Sequence, residues 1–110
     1  MKNDLVFIGH IQDSINNINE FIGNSDFESF SKNKLVLSGV VHEFEIIGEA
    51  SNKISREFCD SHPEIPWRDM IDMRNVLIHE YFGIIPESVW EAYKKDLPKL
   101  KTAIDQILIS

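Results

Sequence analysis

The chain has 110 residues, 43% of them hydrophobic and 26% charged, with a formal charge of −7 and a pI of about 4.9. That is an ordinary globular composition for a single domain spanning residues 1–110, with no room for a second catalytic domain. No apolar run approaches the ~18–20 residues of a membrane helix, Asp4 falls where a signal peptide would begin its apolar core, and the lone Cys59 excludes an internal disulfide or a multi-cysteine zinc site, so a reducing cytoplasm is expected.

The pattern along the chain is helical. Leu5, Ile8, Ile11, Ile15, Ile18 and Ile22 recur at steps of three and four, one face of a helix that Gly23-Asn24 ends. Ser25-Asp26-Phe27-Glu28 has the spacing of a capping box and opens a short helical turn. A second long helix is predicted from about Lys32 to Phe58, with Leu37, Val40, Val41, Phe44, Ile47, Ala50 and Ile54 as its apolar stripe. Gly39 and Gly48 weaken that helix by about 1 kcal/mol each relative to alanine; small residues in mid-helix also permit close helix approach.

Residues 59–66 form the one clear connector, and Pro63 and Pro66 mark the start of a third helix, about Trp67 to Phe82, broken by Gly83. Pro86 begins the last helical region, which reaches about Leu108, with a kink or two abutting helices expected at Pro98. No segment alternates with a period of two. The predicted fold is all-α: an antiparallel helical bundle of four main helices plus short helical turns.

The third helix carries the chemistry. Met70, Met73 and Leu77 share one side, the core side. Arg74 and Tyr81, seven apart, align at its margin, and Asn75 and His79 stack one turn apart on the next face. His79 titrates near neutrality and can serve as a general acid or base. Arg74 is a permanent, forked cation suited to a phosphate or a developing oxyanion. Asn75 can orient His79 or a substrate group, and Tyr81 supplies a hydroxyl. These groups suit phosphodiester cleavage in which a base takes the RNA 2′-OH proton and a cation stabilises the phosphorane-like transition state. The spacing alone favours a structural reading: Arg74 paired with an acid on its own or another helix, His79 a half-exposed surface histidine, Tyr81 an aromatic capping the core.

The run Met73-Arg74-Asn75-Val76-Leu77-Ile78-His79-Glu80-Tyr81-Phe82 resembles the signature of the HepT-like branch of the HEPN superfamily, an arginine, four residues, a histidine, any residue and a tyrosine. Glu45-Ile46-Ile47-Gly48-Glu49-Ala50 is similar to that family's second-helix signature. Pro66-Trp67 with Met70-Ile71, and Trp90 with Asp96-Leu97-Pro98, are similar to its later segments. The resemblance implies an all-α homodimer with motif helices facing each other across the two-fold axis, and a toxin acting as a metal-independent ribonuclease. It also implies an MNT-type nucleotidyltransferase antitoxin that transfers AMP from ATP onto the motif tyrosine, here Tyr81.

Helix geometry favours a dimer independently. Five residues place His79 about 140° round from Arg74 and ~7.5 Å along the axis, an awkward grip on one phosphate from one chain. Two antiparallel copies would bring Arg74 of one to His79 of the other. AMP on Tyr81 would set a bulky anion beside Arg74 and block it.

The acidic balance runs against nucleic-acid binding, since phosphate-binding surfaces tend to be basic. A locally basic cleft, from paired Arg74 side chains and the lysines 94, 95, 99 and 101, is the expected resolution, distant acids being screened beyond ~8 Å. Glu49, one helix away, is a candidate to orient His79 or Arg74. Trp67 and Trp90 are expected to be core anchors. His10, His42 and His62 lack metal-ligand spacing, Cys59 lacks a histidine partner, and no glycine-rich phosphate loop is present, so no metal or cofactor is expected. The rival functional class is a non-catalytic helical module that binds a nucleotidyltransferase or a nucleotide.

Overall fold

The computed structural model describes residues 3–79 and 85–109, the side chains of Ile78 and His79 excepted. Tyr81 lies outside the described residues. The described chain is all-α: α1 Asp4–Ile22, α2 Phe27–Lys32, α3 Lys34–Lys53, α4 Arg56–Ser61, α5 Trp67–His79, α6 Pro86–Glu91 and α7 Leu97–Ile109, with a π turn at Ala92–Asp96 joining the last two.

Helix α1 buries Ile8, Ile11, Ile15, Ile18 and Ile22 at 0–1% exposure, each contributing about 1.5–3 kcal/mol. Leu5, expected on the same stripe, is exposed. The stripe averages fewer residues per step than the 3.6 of the helix, so its face drifts and Leu5 ends roughly 80° from Ile15. Asp4 is buried in its place. Its carboxylate accepts from the Ser55 N–H at 2.8 Å and from Ser55 Oγ at 2.7 Å, and that donation, the N–H first, holds the Asp4 carboxyl below the usual carboxylate range.

The contacts Asp4–Ser55 and Asn17–Glu43 show α1 and α3 running antiparallel. Helix α3 packs against α1 and α5, and α7 against α1. The core joins α1 and α3 to Phe30, Ile65, Trp67, Leu77, Val89, Leu97, Leu100 and Ile104. Trp67 anchors α5 there and donates its indole N–H to the His62 carbonyl at 3.0 Å. Trp90 packs against Phe27, Phe30 and Tyr93. Both tryptophans are anchors, as expected.

Two boundaries differ from the sequence reading. The cap of α2 is Asp26, which accepts from the Ser29 N–H at 2.9 Å, one position later than the Ser25 capping box. Helix α3 stops at Lys53 instead of running to Phe58: Ile54 and Ser55 are extended, and Ser55 caps α4 while held by Asp4. Ile54 stays buried, so the apolar stripe runs through the break and hides it. At Pro98 two helices abut, one of the two outcomes expected: α6 and α7 meet through the π turn. The preceding turn widens into π geometry, the Leu97 N–H reaching back five residues to the Ala92 carbonyl. Pro98 has no N–H to offer Lys94, and its ring needs room against the preceding turn, so the wider turn absorbs both demands.

Candidate functional site

Helix α5 displays the chemistry because it is shallowly packed. Trp67 and Leu77 are buried, whereas Met70, Met73, Arg74 and Asn75 are half-buried and Val76 is exposed. Its contact with α3 is close at one point. A Cβ placed on Gly48 would collide with the Cβ of Arg74 and lie 2.8 Å from the Met70 carbonyl. Glycine at 48 is thus what lets the backbone of α5 lie against α3, and it seats the root of Arg74 on α3 itself. Nearby, Ser51 Oγ donates to the Ile47 carbonyl at 2.7 Å and stands 3.9 Å from the Met70 sulfur.

One residue beyond Gly48, Glu49 points to the same place. Arg74 Nη2 lies 2.7 Å from Glu49 Oε2, and Arg74 Nη1 donates to Asn75 Oδ1 at 3.0 Å. The guanidinium is therefore gripped on two nitrogens by groups from two helices. The pair is 28% and 43% exposed, a setting in which an ion pair contributes little more than ~1 kcal/mol to stability. Its main physical consequence is orientation. Of the two partners considered for Glu49 from sequence, Arg74 is in contact with it, and the side chain of the other, His79, lies outside the described residues. The His79 backbone lies at the last position of α5, five residues on from Arg74.

Lysine 53 was not singled out in the sequence. Its Nζ is 3.6 Å from Glu49 Oε1, on the oxygen that Arg74 does not take. The signal that could have found it is the i,i+4 spacing from Glu49 on α3. The lysines at 94, 95, 99 and 101 have different surroundings, Lys99 lining a cleft beside α5. Lys94 lies over the Trp90 and Tyr93 rings at 5.5 and 5.9 Å, and Lys95 faces Glu91 at 3.6 Å. Lys101 is held 2.8 Å from Asp105, which also accepts from Gln12 on α1. Lysine donation, then glutamine donation, holds the Asp105 carboxyl below its usual range.

A cleft of about 330 Å³ lies between α3, α5 and the start of α7, with Phe44, Ile47, Met70, Met73, Leu97 and Leu100 among its lining. Arg74, Asn75 and Glu49 stand outside it. Cys59 is half-buried, and burial, with Asp4 and Asp60 nearby, pushes its thiol up, away from the thiolate that a nucleophile needs. Among the described residues no three His, Cys, Asp or Glu side chains converge on a metal-sized site, and no helix is long and apolar enough to cross a membrane.

The family model described as Ribonuclease HepT-like matches residues 11–107. A protein of Thermococcus cleftensis named "Probable ribonuclease HepT" is 41% identical over 101 residues, 92% of each chain. A Methanocaldococcus jannaschii protein named as a candidate RNase is 39% identical over 99 residues, covering 90% of this chain and 91% of its own. One from Caldanaerobacter subterraneus, named likewise, is 34% identical over 108 residues, covering 98% and 96%. No solved structure matches the chain significantly. The all-α fold, the arginine displayed on α5 and a family match running through nearly the whole chain agree, and the chain belongs to the HepT-like family of ribonucleases.

Proposed function

We propose that this chain is the toxin of a type II toxin-antitoxin pair, an endoribonuclease that cuts RNA without a metal at a cleft between two copies of itself. The observation that carries the reading is the fixed guanidinium: Arg74 sits at the surface of α5, held by Glu49 at 2.7 Å and Asn75 at 3.0 Å. A cation already oriented loses little freedom when charge develops on a phosphate, which is the condition for electrostatic stabilisation of a transition state.

In this reading His79 takes the proton of an RNA 2′-OH. The 2′-oxygen attacks phosphorus, the bond to the 5′-oxygen breaks, and the leaving oxygen receives a proton. Arg74 of the facing subunit neutralises the charge that grows on the non-bridging oxygens. Asn75 and Glu49 hold Arg74 in place. An MNT-type nucleotidyltransferase silences the toxin by moving AMP onto Tyr81, the pyrophosphate of ATP leaving, and the added anion occupies the arginine.

Labelled RNA incubated in EDTA with protein free of AMP, as verified by intact mass, tests the reading. Wild type cleaves. Arg74→Ala and His79→Ala, each folded by circular dichroism, lose about 10²–10³-fold in rate. Undiminished cleavage in both variants, or none by the wild type, returns the chain to the rival class of non-catalytic module. A Tyr81→Phe variant that the antitoxin still silences covalently overturns the regulatory part alone.

A further inference from the structure

The Glu49 carboxylate divides itself between two cations. One oxygen meets Arg74 Nη2 at 2.7 Å, the other meets Lys53 Nζ at 3.6 Å. The two cationic nitrogens are thus no farther apart than one carboxylate and two polar contacts allow. They come from different helices, Lys53 from the last residue of α3 and Arg74 from the middle of α5.

The charge count makes the arrangement informative. The whole chain is at −7, yet the Arg74–Glu49–Lys53 group is at +1. A carboxylate beside a phosphate-binding arginine repels the phosphate. A lysine on that carboxylate's free oxygen offsets the repulsion without taking the arginine away. Lys94, Lys95 and Lys101 face an aromatic pair, Glu91 and Asp105 respectively, and Lys99 lines the cleft that Arg74 stands outside, whereas Lys53 shares a carboxylate with Arg74 itself. The Lys53 side chain is 56% exposed and its pair with Glu49 is loose, which leaves a hydrated, flexible ammonium free to reach a passing anion.

Resting on the ribonuclease reading, we infer that Lys53 anchors the RNA backbone at a phosphate neighbouring the one held by Arg74, with Glu49 as the spacer that sets the distance between the two anchors. Lys53 is then a substrate-binding residue: its loss weakens RNA capture and leaves the chemical step nearly intact.

The probe is a fluorescent single-stranded 20-mer with 2′-O-methyl riboses, which this chemistry cannot cut, titrated by anisotropy across a salt series. Cleavage of the unmodified strand in EDTA runs in parallel. Lys53→Gln is compared with Lys53→Arg and with Lys32→Gln, an exposed lysine that likewise faces an acid four residues away. Lys32 lies just before the opposite end of α3, about 30 Å off for a helix of this length, and its loss changes net charge identically.

The expected result is a Lys53→Gln protein whose KM rises about three- to tenfold at unchanged kcat. Its plot of log affinity against log salt flattens by about 0.7 per site. Lys53→Arg restores both, and Lys32→Gln matches the wild type. Cleavage by the wild type with Lys53→Gln and Lys32→Gln indistinguishable overturns the inference and leaves the ribonuclease reading standing. A wild type that neither cleaves RNA nor binds the methylated strand overturns the reading and the inference with it.

Discussion

Helix α3 packs on α1 and on α5, and the two contacts are built from different side chains. Toward α1 the contact is made on five α1 isoleucines at 0–1% exposure. Toward α5 the closest approach is a glycine under the stem of an arginine, and beside it a carboxylate, an amide and an ammonium gather at the surface. A branched apolar stripe gives burial in a single register. A glycine contact gives proximity with little burial, and so lets polar groups from two helices meet while still reachable by a ligand. Burial resides mainly in the first contact and the accessible polar groups in the second.

Four substitutions break or sharpen this contrast. Ile15→Ala, in the first contact, carries the largest expected cost, about 2–5 kcal/mol from lost burial and a residual cavity, read as a drop in the urea midpoint. Gly48→Ala comes next. Helix propensity alone favours alanine by about 1 kcal/mol, but the collision with α5 costs about 1–3 kcal/mol. A net fall in Tm with reduced RNA turnover is expected, and a Tm at or above wild type would show that the close seam is unimportant.

Glu49→Gln removes one surface charge partner and shifts stability by less than ~1 kcal/mol. Its effect is expected in turnover, about tenfold slower, because the guanidinium loses its grip from α3. The smallest effect is a trend with pH. The Asp4 carboxyl, held low by Ser55, stabilises the fold above the ordinary carboxylate value near 3.9, and this contribution fades as pH falls through its lower folded value. Thermal melts of wild type and Asp4→Asn differ at neutral pH and converge in acid.

The contrast also explains what could be read from the residues alone. Periodicity identified α1 and the stripe of α3, because burial on one face repeats with the helix. It missed the break after Lys53, because Ile54 continues the stripe while the backbone turns extended, and it placed Leu5 inside because drift over five turns is invisible locally. Arg74, Asn75 and Glu49 were named as candidates from side-chain chemistry and the family resemblance, and the three side chains meet. Their meeting depends on Gly48, whose role as a contact is set by a helix some two dozen residues away. Lys53 was missed because a lysine ending a helix, four residues after a glutamate, looks like local helix stabilisation until Arg74 is seen on the same carboxylate. The lysines at 94–101, close in sequence, meet separate partners: an aromatic pair, Glu91 and Asp105, with Lys99 in the cleft lining.

Complementation measures the central claim, that an arginine and a histidine from opposite subunits meet at one scissile bond. Arg74→Ala and His79→Ala proteins, each inactive, are unfolded together in equal amounts, refolded and assayed on RNA in EDTA. Half of the resulting dimers carry one of each chain, and each of these holds one intact composite site, so activity returns to about a quarter of wild type. A mixture as inactive as its parents, from a wild type that cleaves, would place both groups in one chain and contradict the shared cleft.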